Sequence, residues 1–303
     1  MNKTTKYCAT FNRDFSETVA YNNPLFPVYA EYSFLSAYPD YSCISHWHKD
    51  LEWIVVKKGT MTYNVNGTLV TLNEGCGIFV NSRQLHYGFS TAHRECEFLC
   101  ILLSPELLSG SDWFFQNCVT CITENSSYPY LYLTPKNWTD SILERLNLLY
   151  ASFANTTEKS LCYYDSLLYF IDILKILYQN LDIENQHTTP ENSELSSLRN
   201  MIAYIEEHYS EHIALTEIAL SGACCKSRCA LLFKKYLRDT PINYTTKLRL
   251  RKSLTALLDS DRTISEIAYE HGFSGASYYC ETFKKYYGES PRVYKKRVRE
   301  SVV

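Results

Sequence analysis

One pattern occurs twice in the last third of the chain: Glu-Ile-Ala, a short break, Phe-Lys-Lys-Tyr, then Thr-Pro or Ser-Pro. "LTEIALSGACCKSRCALLFKKYLRDTP" (215–241) is echoed by "ISEIAYEHGFSGASYYCETFKKYYGESP" (264–291). A repeat of this length is one supersecondary unit used twice. In the second copy Thr263 and Glu266 form a Thr-x-x-Glu capping box, which starts a helix. Gly272 ends that helix where a left-handed residue is needed. Ser274 or Gly275 can cap the next helix, Gly288 stops it, and Pro291 fits the first turn of another. Helix, tight turn and second helix is the plan whose second member lies in the DNA major groove. Between the copies, "INYTTKLRLRKSLTALLDS" (242–260) reads as one linking helix. At ~1.5 Å per residue its roughly seventeen residues cover ~25 Å; with the width of the units this approaches the ~34 Å between successive major-groove faces.

A helical wheel divides the second helix of each unit. Tyr279, Phe283 and Tyr286 share a side that Ile267 and Ala268 can meet, so they are core. Ser277, Cys280 and Glu281, with Ala276 at the helix start, lie opposite and are expected to read base edges, while Lys284 and Lys285 contact phosphate. In the first unit the groove-facing positions are Ser227, Ala230, Leu231 and Lys234. Ala230 and Leu231 can touch a thymine methyl but cannot make bidentate hydrogen bonds. The second unit should therefore discriminate sequence, and the first should hold the backbone through Lys226, Arg228, Lys234 and Lys235. Charge follows this division. Residues 193–303 carry 18 Lys and Arg against 13 Asp and Glu, and residues 1–192 carry 12 against 20, so a +5 segment adjoins a −8 body. A basic segment of that kind suits a polyanion.

The front of the chain has a different period. "LEWIVVKK" (51–58) is β-branched and aromatic, and "MTYNVNGTLVTL" (61–72) sets Asn66-Gly67 between alternating runs, the signal of a type I′ hairpin. "EGCGIFV" and "CEFLCILL" (96–103) add strands, which together indicate an antiparallel sandwich or barrel. Helical spacing then takes over in 138–153 and 160–181. On the latter, Leu161, Leu168, Ile171, Leu174 and Leu177, with several tyrosines, exceed what one packed face needs. Intramolecular core and a helical dimer seam both account for them. "DIENQHTTPENSE" (182–194) is polar and aperiodic, a linker.

Hydrophobic content of 46% and charged content of 21% are those of a globular protein. The N-terminus has no apolar run resembling a signal peptide and no stretch is long enough for a membrane span, so a cytoplasmic location is expected. Twelve cysteines are spaced irregularly, and "CVTC" (118–121) has no second pair at zinc-site spacing. The default is reduced thiols, with a redox role open for Cys224, Cys225, Cys229 and Cys280.

With "EIA…GF…SYY…FKKYYGESP", its first copy and the intervening "KLRLRKS", the last hundred or so residues resemble the DNA-binding domain of the AraC/XylS family of bacterial transcription regulators. The resemblance implies a cupin-like N-terminal β-barrel that binds a small effector, helices that form a homodimer, and double-stranded DNA and RNA polymerase as partners. The expected layout is a cupin-like domain over 1–135, a helical dimerisation segment over 136–183, a linker over 184–194 and an all-α DNA-binding domain over 195–303, its two helix-turn-helix units joined by the linking helix. The first unit departs from the family pattern: Ala223 replaces a turn glycine, Cys225 a capping serine and Arg238 a glycine before Thr-Pro. Near the front, "HWHKDLEWIVVKKG" resembles the first cupin motif, His-x-His-x3-Glu-x6-Gly, ending at Gly59, and "GCGIFVNSRQLH" supplies His86. His46, His48, Glu52 and His86 are thus candidate ligands of Fe, Mn, Ni or Zn. The reading adopted assigns no metal or cofactor. In it these side chains, with Trp47, Trp53, Tyr63 and Tyr87, line an effector pocket suited to a carbohydrate or similar polar ligand. The alternative is a cupin metalloenzyme with an appended nucleic-acid module.

Overall fold

The computed structural model describes residues 10–11, 16–155, 159–183, 193–259 and 262–300. These fall into two compact units, one ending at residue 183 and the other starting at residue 193.

The front unit is built on β1 (Thr10–Phe11), β2 (Glu17–Thr18), β3 (Val28–Phe34), β4 (Leu51–Val65), β5 (Thr68–Asn73), β6 (Gly77–Val80), β7 (His86–Phe89), β8 (Cys96–Leu103) and β9 (Tyr130–Leu133). β1 and β2 form a separate antiparallel pair; the other seven strands form one antiparallel sheet. β4 organises it. Its first half lies between β8 and β6, and its second half pairs with β5 and β7. The change of partner coincides with a register shift between Val56 and Lys58 and with Gly59 at φ +86°. A Cβ at Gly59 would stand 2.5 Å from the Glu95 carbonyl oxygen, so the bend accepts only glycine. Asn66 and Gly67 both adopt positive φ and join Val65 to Thr68 as the type I′ turn requires.

Alternation along β4 sends side chains into two cores. Ile54, Val56, Met61, Tyr63 and Val65 pack with Ile78, Val80 and Phe98 inside the folded sheet. Leu51, Trp53 and Val55 face outward and pack with Phe79 beneath two helices. A short helical stretch, α1 (Asp112–Phe114), a π turn (Phe115–Val119) and α2 (Thr120–Thr123), precedes these helices and was not expected from the sequence. α3 (Asp140–Asn155) and α4 (Lys159–Asn180) bring Ile142, Leu146, Phe170, Ile173, Leu174 and Leu177 onto the outer face of the sheet.

The rear unit is helical: α5 (Ser193–His208), α6 (Leu215–Ser221), α7 (Lys226–Leu237), α8 (Pro241–Asp259), α9 (Ile264–Glu270), α10 (Ala276–Tyr287) and α11 (Pro291–Glu300). Residues 184–192 of the expected linker lie outside the described residues. Ser193 and Glu194 belong instead to the first turn of α5. α9 opens with the expected capping box, in which Thr263 Oγ1 accepts from the Glu266 N–H at 3.2 Å and Glu266 Oε2 from the Thr263 N–H at 2.7 Å. Ile267, Ala268, Phe273, Tyr279 and Phe283 form the core of this unit, closed by Leu250 and Leu257 of α8. α8 also reaches the end of α5, where the Arg249 guanidinium donates to the Tyr209 and Glu211 carbonyls at 2.6 and 2.7 Å. Among the described residues no helix is long and apolar enough to cross a membrane.

Candidate ligand site and nucleic-acid interface

Three elements bring four sequence-distant side chains together in the front unit. His46 and His48 sit in the irregular segment before β4, not on a regular strand, and His46 is fixed by backbone hydrogen bonds in both directions with His86. Glu52 projects inward from β4, and His86 opens β7. One ligand atom from each of the four lies within 4.8 Å of those of the other three, and all four residues are buried. Glu52 Oε2 stands 3.2 Å from Nε2 of both His48 and His86. The Tyr63 hydroxyl donates to Glu52 Oε1, and the Tyr63 ring stacks on that of His86. Gly88, directly across from Tyr63, leaves the space this ring fills, since a Cβ there would lie 3.1 Å from the ring.

Sequence reasoning missed Glu17. This buried carboxylate pairs with His46 at 3.0 Å between Oε2 and Nε2. Burial pulls the His46 imidazole down, but the charge and hydrogen bond of Glu17 outweigh it and lift the pKa to about 9. For Glu52, burial pushes the carboxyl up, yet His86 and His48 prevail and hold it well below the ordinary carboxylate range. Asp50 was missed as well. It is buried beside the cluster and accepts from the Tyr21 hydroxyl at 2.9 and 3.1 Å, and burial pushes its carboxyl upward. No local signal marks Glu17, whose partner is 29 residues away in an irregular segment.

Two expected pocket residues are elsewhere. Trp53 is fully buried on the opposite face of β4 from Glu52, with its ring 5.3 Å from Phe79 and 6.4 Å from Phe170. Adjacent residues on a strand point to opposite faces, so Glu52 and Trp53 cannot share a pocket. The same rule turns Tyr87 away from His86 and toward Asn64, whose Nδ2 is 3.5 Å from its hydroxyl. Trp47 is half-buried, and its carbonyl accepts from the Glu17 N–H at 2.8 Å.

In the rear unit α7 and α10 are the second helices of the two helix-turn-helix units. On α7, Lys226, Ser227, Arg228, Ala230, Leu231, Lys234 and Lys235 are all exposed. On α10, Ser277, Glu281, Lys284 and Lys285 are exposed and Ala276 is half-buried. Cys280 is half-buried and packs against the core of its own unit. Arg228 and Lys235 share one carboxylate, with Lys235 Nζ at 2.6 Å from Glu194 Oε2 and the Arg228 guanidinium on Oε1. Hydrogen bonds from Lys235 and Tyr236 hold the Glu194 carboxyl down at about 2. The irregular features of the first unit appear as strain: Ala223 at φ +51°, Arg238 at φ +54°, and Cys225 at an N-cap without a side-chain cap bond. The described cysteines are free thiols; Cys229 is fully buried, and burial pushes it up to about 11. That is the environment of an inert core thiol.

A model of the AraC-like ligand-binding domain matches residues 29–117, and a model of a helix-turn-helix domain matches residues 224–297. Among curated proteins, the chain is similar to an uncharacterised HTH-type transcriptional regulator, YdeC of Bacillus subtilis (strain 168). The two are 28% identical over 258 residues, covering 83% of this chain and 85% of the relative. It is also similar to the HTH-type transcriptional activator RhaS of Mannheimia succiniciproducens, at 26% identity over 82% of this chain and 87% of the relative. Among solved structures, ToxT of Vibrio cholerae with unsaturated fatty acid bound aligns over 91% of this chain and 97% of its own, at 13% identity and a TM-score of 0.42.

Proposed function

Because this chain belongs to the AraC family of DNA-binding transcription regulators with a ligand-binding front domain, we propose that its ligand is received at His46, His48, Glu52 and His86 and alters DNA binding by α7 and α10. One observation carries this reading. Four buried proton- or metal-accepting side chains from three separate elements converge on one point inside the front unit, where a fold alone would place apolar residues. We read the cluster as a binding site and not a catalytic centre, because a regulator needs occupancy, not turnover. Activation is the direction we favour, since RhaS is named an activator. A cytoplasmic place, beside its DNA, follows from the same role.

We further propose that the working form is a homodimer joined through α4. Leu161, Tyr164, Leu168, Ile171 and Tyr178 of that helix are exposed at intervals of three, four, three and seven residues, the a/d spacing of a coiled-coil seam. Leu174 and Leu177 of the same helix are buried against the sheet, so the outward stripe is a second apolar face.

The site assignment is tested in a transcriptional reporter controlled by the full-length protein. Glu52→Gln keeps the shape of the side chain and removes its charge. Its reporter output is expected to be constant across growth media that change the wild-type output, at equal protein level. A variant that still followed the medium would place the ligand elsewhere.

A further inference from the structure

We propose that the Glu194 carboxylate holds the place of a DNA phosphate on α7 of the first helix-turn-helix unit, so that duplex DNA displaces it from Arg228 and Lys235 as it binds. This rests on the reading of α7 as a DNA-contacting helix, and it names the residue that sets how strongly that helix holds the backbone.

Position is the first support. Arg228 and Lys235 are seven residues apart on α7, which at about 100° per residue puts them on one flank of the helix. That flank stands about 90° from the edge carrying Ser227, Ala230, Leu231 and Lys234. A helix seated in the major groove turns its flanks toward the sugar-phosphate strands. Glu194, in the first turn of α5, meets both cations of this flank. Lys235 Nζ stands 2.6 Å from Oε2, and the Arg228 guanidinium donates to Oε1. From the buried side of α7 the Tyr236 hydroxyl donates to Oε2 at 2.7 Å, which fixes the carboxylate over the flank.

Chemistry is the second support. A carboxylate and a phosphodiester each spread one negative charge over two acceptor oxygens, and Arg and Lys bind either through charge-assisted hydrogen bonds. The same donors cannot serve both at once. The Arg228 and Lys235 side chains are 47% and 48% exposed, so a duplex reaches them once the carboxylate moves aside. An acid in the first turn of a helix is favoured by the helix dipole wherever its side chain points. That preference does not account for a carboxylate laid over two cations and a tyrosine of another helix.

The repeat supplies the third support. Lys284 and Lys285 of α10 occupy the places of Lys234 and Lys235 in the doubled Phe-Lys-Lys-Tyr, and both are exposed. Among the described residues no carboxylate pairs with either. α10 is therefore open to phosphate, whereas α7 is covered along one flank. The carboxylate lowers the sequence-independent hold of the unit whose Ala230 and Leu231 offer bases only apolar contact.

The test uses the full-length chain and a fluorescein-labelled mixed-sequence duplex of about 30 base pairs, or three helical turns. Affinity is read by anisotropy across KCl from about 50 to 200 mM, with each variant first matched to wild type by its circular-dichroism melt. Glu194→Gln keeps the size of the side chain and removes its charge. It should bind about three- to tenfold more tightly at the low-salt end, the range set by one or two exposed ion pairs. Its slope of log affinity against log salt should steepen by about 0.9, for one added net positive charge at the flank. In a chain already carrying Arg228→Ala and Lys235→Ala, the same change should leave affinity within about twofold, because no masked cation is left to release. Weaker or unchanged binding by Glu194→Gln alone overturns the proposal; weaker binding would make Glu194 the residue that positions the two cations. A gain that persists without Arg228 and Lys235 overturns it as well, since Glu194 would then act by general repulsion of DNA. Lys234→Ala separates the two readings. If it weakens binding while Glu194→Gln does nothing, α7 contacts DNA and the displacement fails; if neither changes binding, the reading of α7 itself fails.

Discussion

At the scale of single residues, the first helix-turn-helix unit is folded against local preference. Ala223 is held at φ +51°, and Cys225 opens α7 without a side-chain acceptor for the free N–H groups. A left-handed non-glycine residue costs about 1–2 kcal/mol, of which glycine's extra unfolded-state freedom takes back about 0.4–1. Ala223→Gly is therefore expected to stabilise the chain by roughly 0.5–1 kcal/mol, and Cys225→Ser by about 1 through a restored cap. Both should appear as a raised urea midpoint at unchanged slope; a lowered midpoint would contradict the account. Both positions were legible in the sequence, because a turn glycine and a capping serine have fixed places in such a unit. The convergence of His46, His48, Glu52 and His86 was legible for the same reason. Glu17 was not: its role comes from a tertiary contact with an irregular segment. Trp53 and Tyr87 were assigned to the pocket by proximity in sequence, although strand alternation turns each to the other face.

At the scale of elements, periodicity located the strands and helices well. The Asn66-Gly67 hairpin, the linking helix α8 and the capped α9 lie where propensity and turn chemistry put them. The stretch from α1 to α2 did not show, since a π turn has no simple repeat to detect. α4 is the element whose pattern supported two uses, and the structure shows it bearing two apolar faces: one on the sheet, one exposed. Leu168, 65% exposed at the middle of the outward stripe, is the position at which a charge should interfere with pairing while leaving the core intact. Leu168→Glu is expected to weaken self-association at least about tenfold in sedimentation velocity, with an unchanged thermal melt at concentrations where both are monomeric. A wild type that stays monomeric, or a variant that pairs equally well, would refute the seam.

At the scale of the whole molecule, the division of charge matches a division of labour: an acidic front unit that buries a polar cluster, and a basic rear unit that exposes its cations. The rear unit holds two helix-turn-helix units joined by one helix, α8, and we propose that each reads DNA. α8 spans 19 residues, or about 28 Å at ~1.5 Å per residue, comparable with the ~34 Å repeat of the major groove. Exposed Ser277 and Glu281 on α10 can exchange hydrogen bonds with base edges, whereas Ala230 and Leu231 on α7 offer only apolar contact. The direct test of this account is selection of binding sites by the full-length protein from a random duplex pool, sequenced after several rounds. The account predicts a bipartite motif per chain, its two parts centred about 10–10.5 base pairs apart on one face of the duplex. The part read by α10 should carry more information and be lost in Glu281→Ala. No enriched motif, or a single undivided one unaffected by Glu281→Ala, would contradict it.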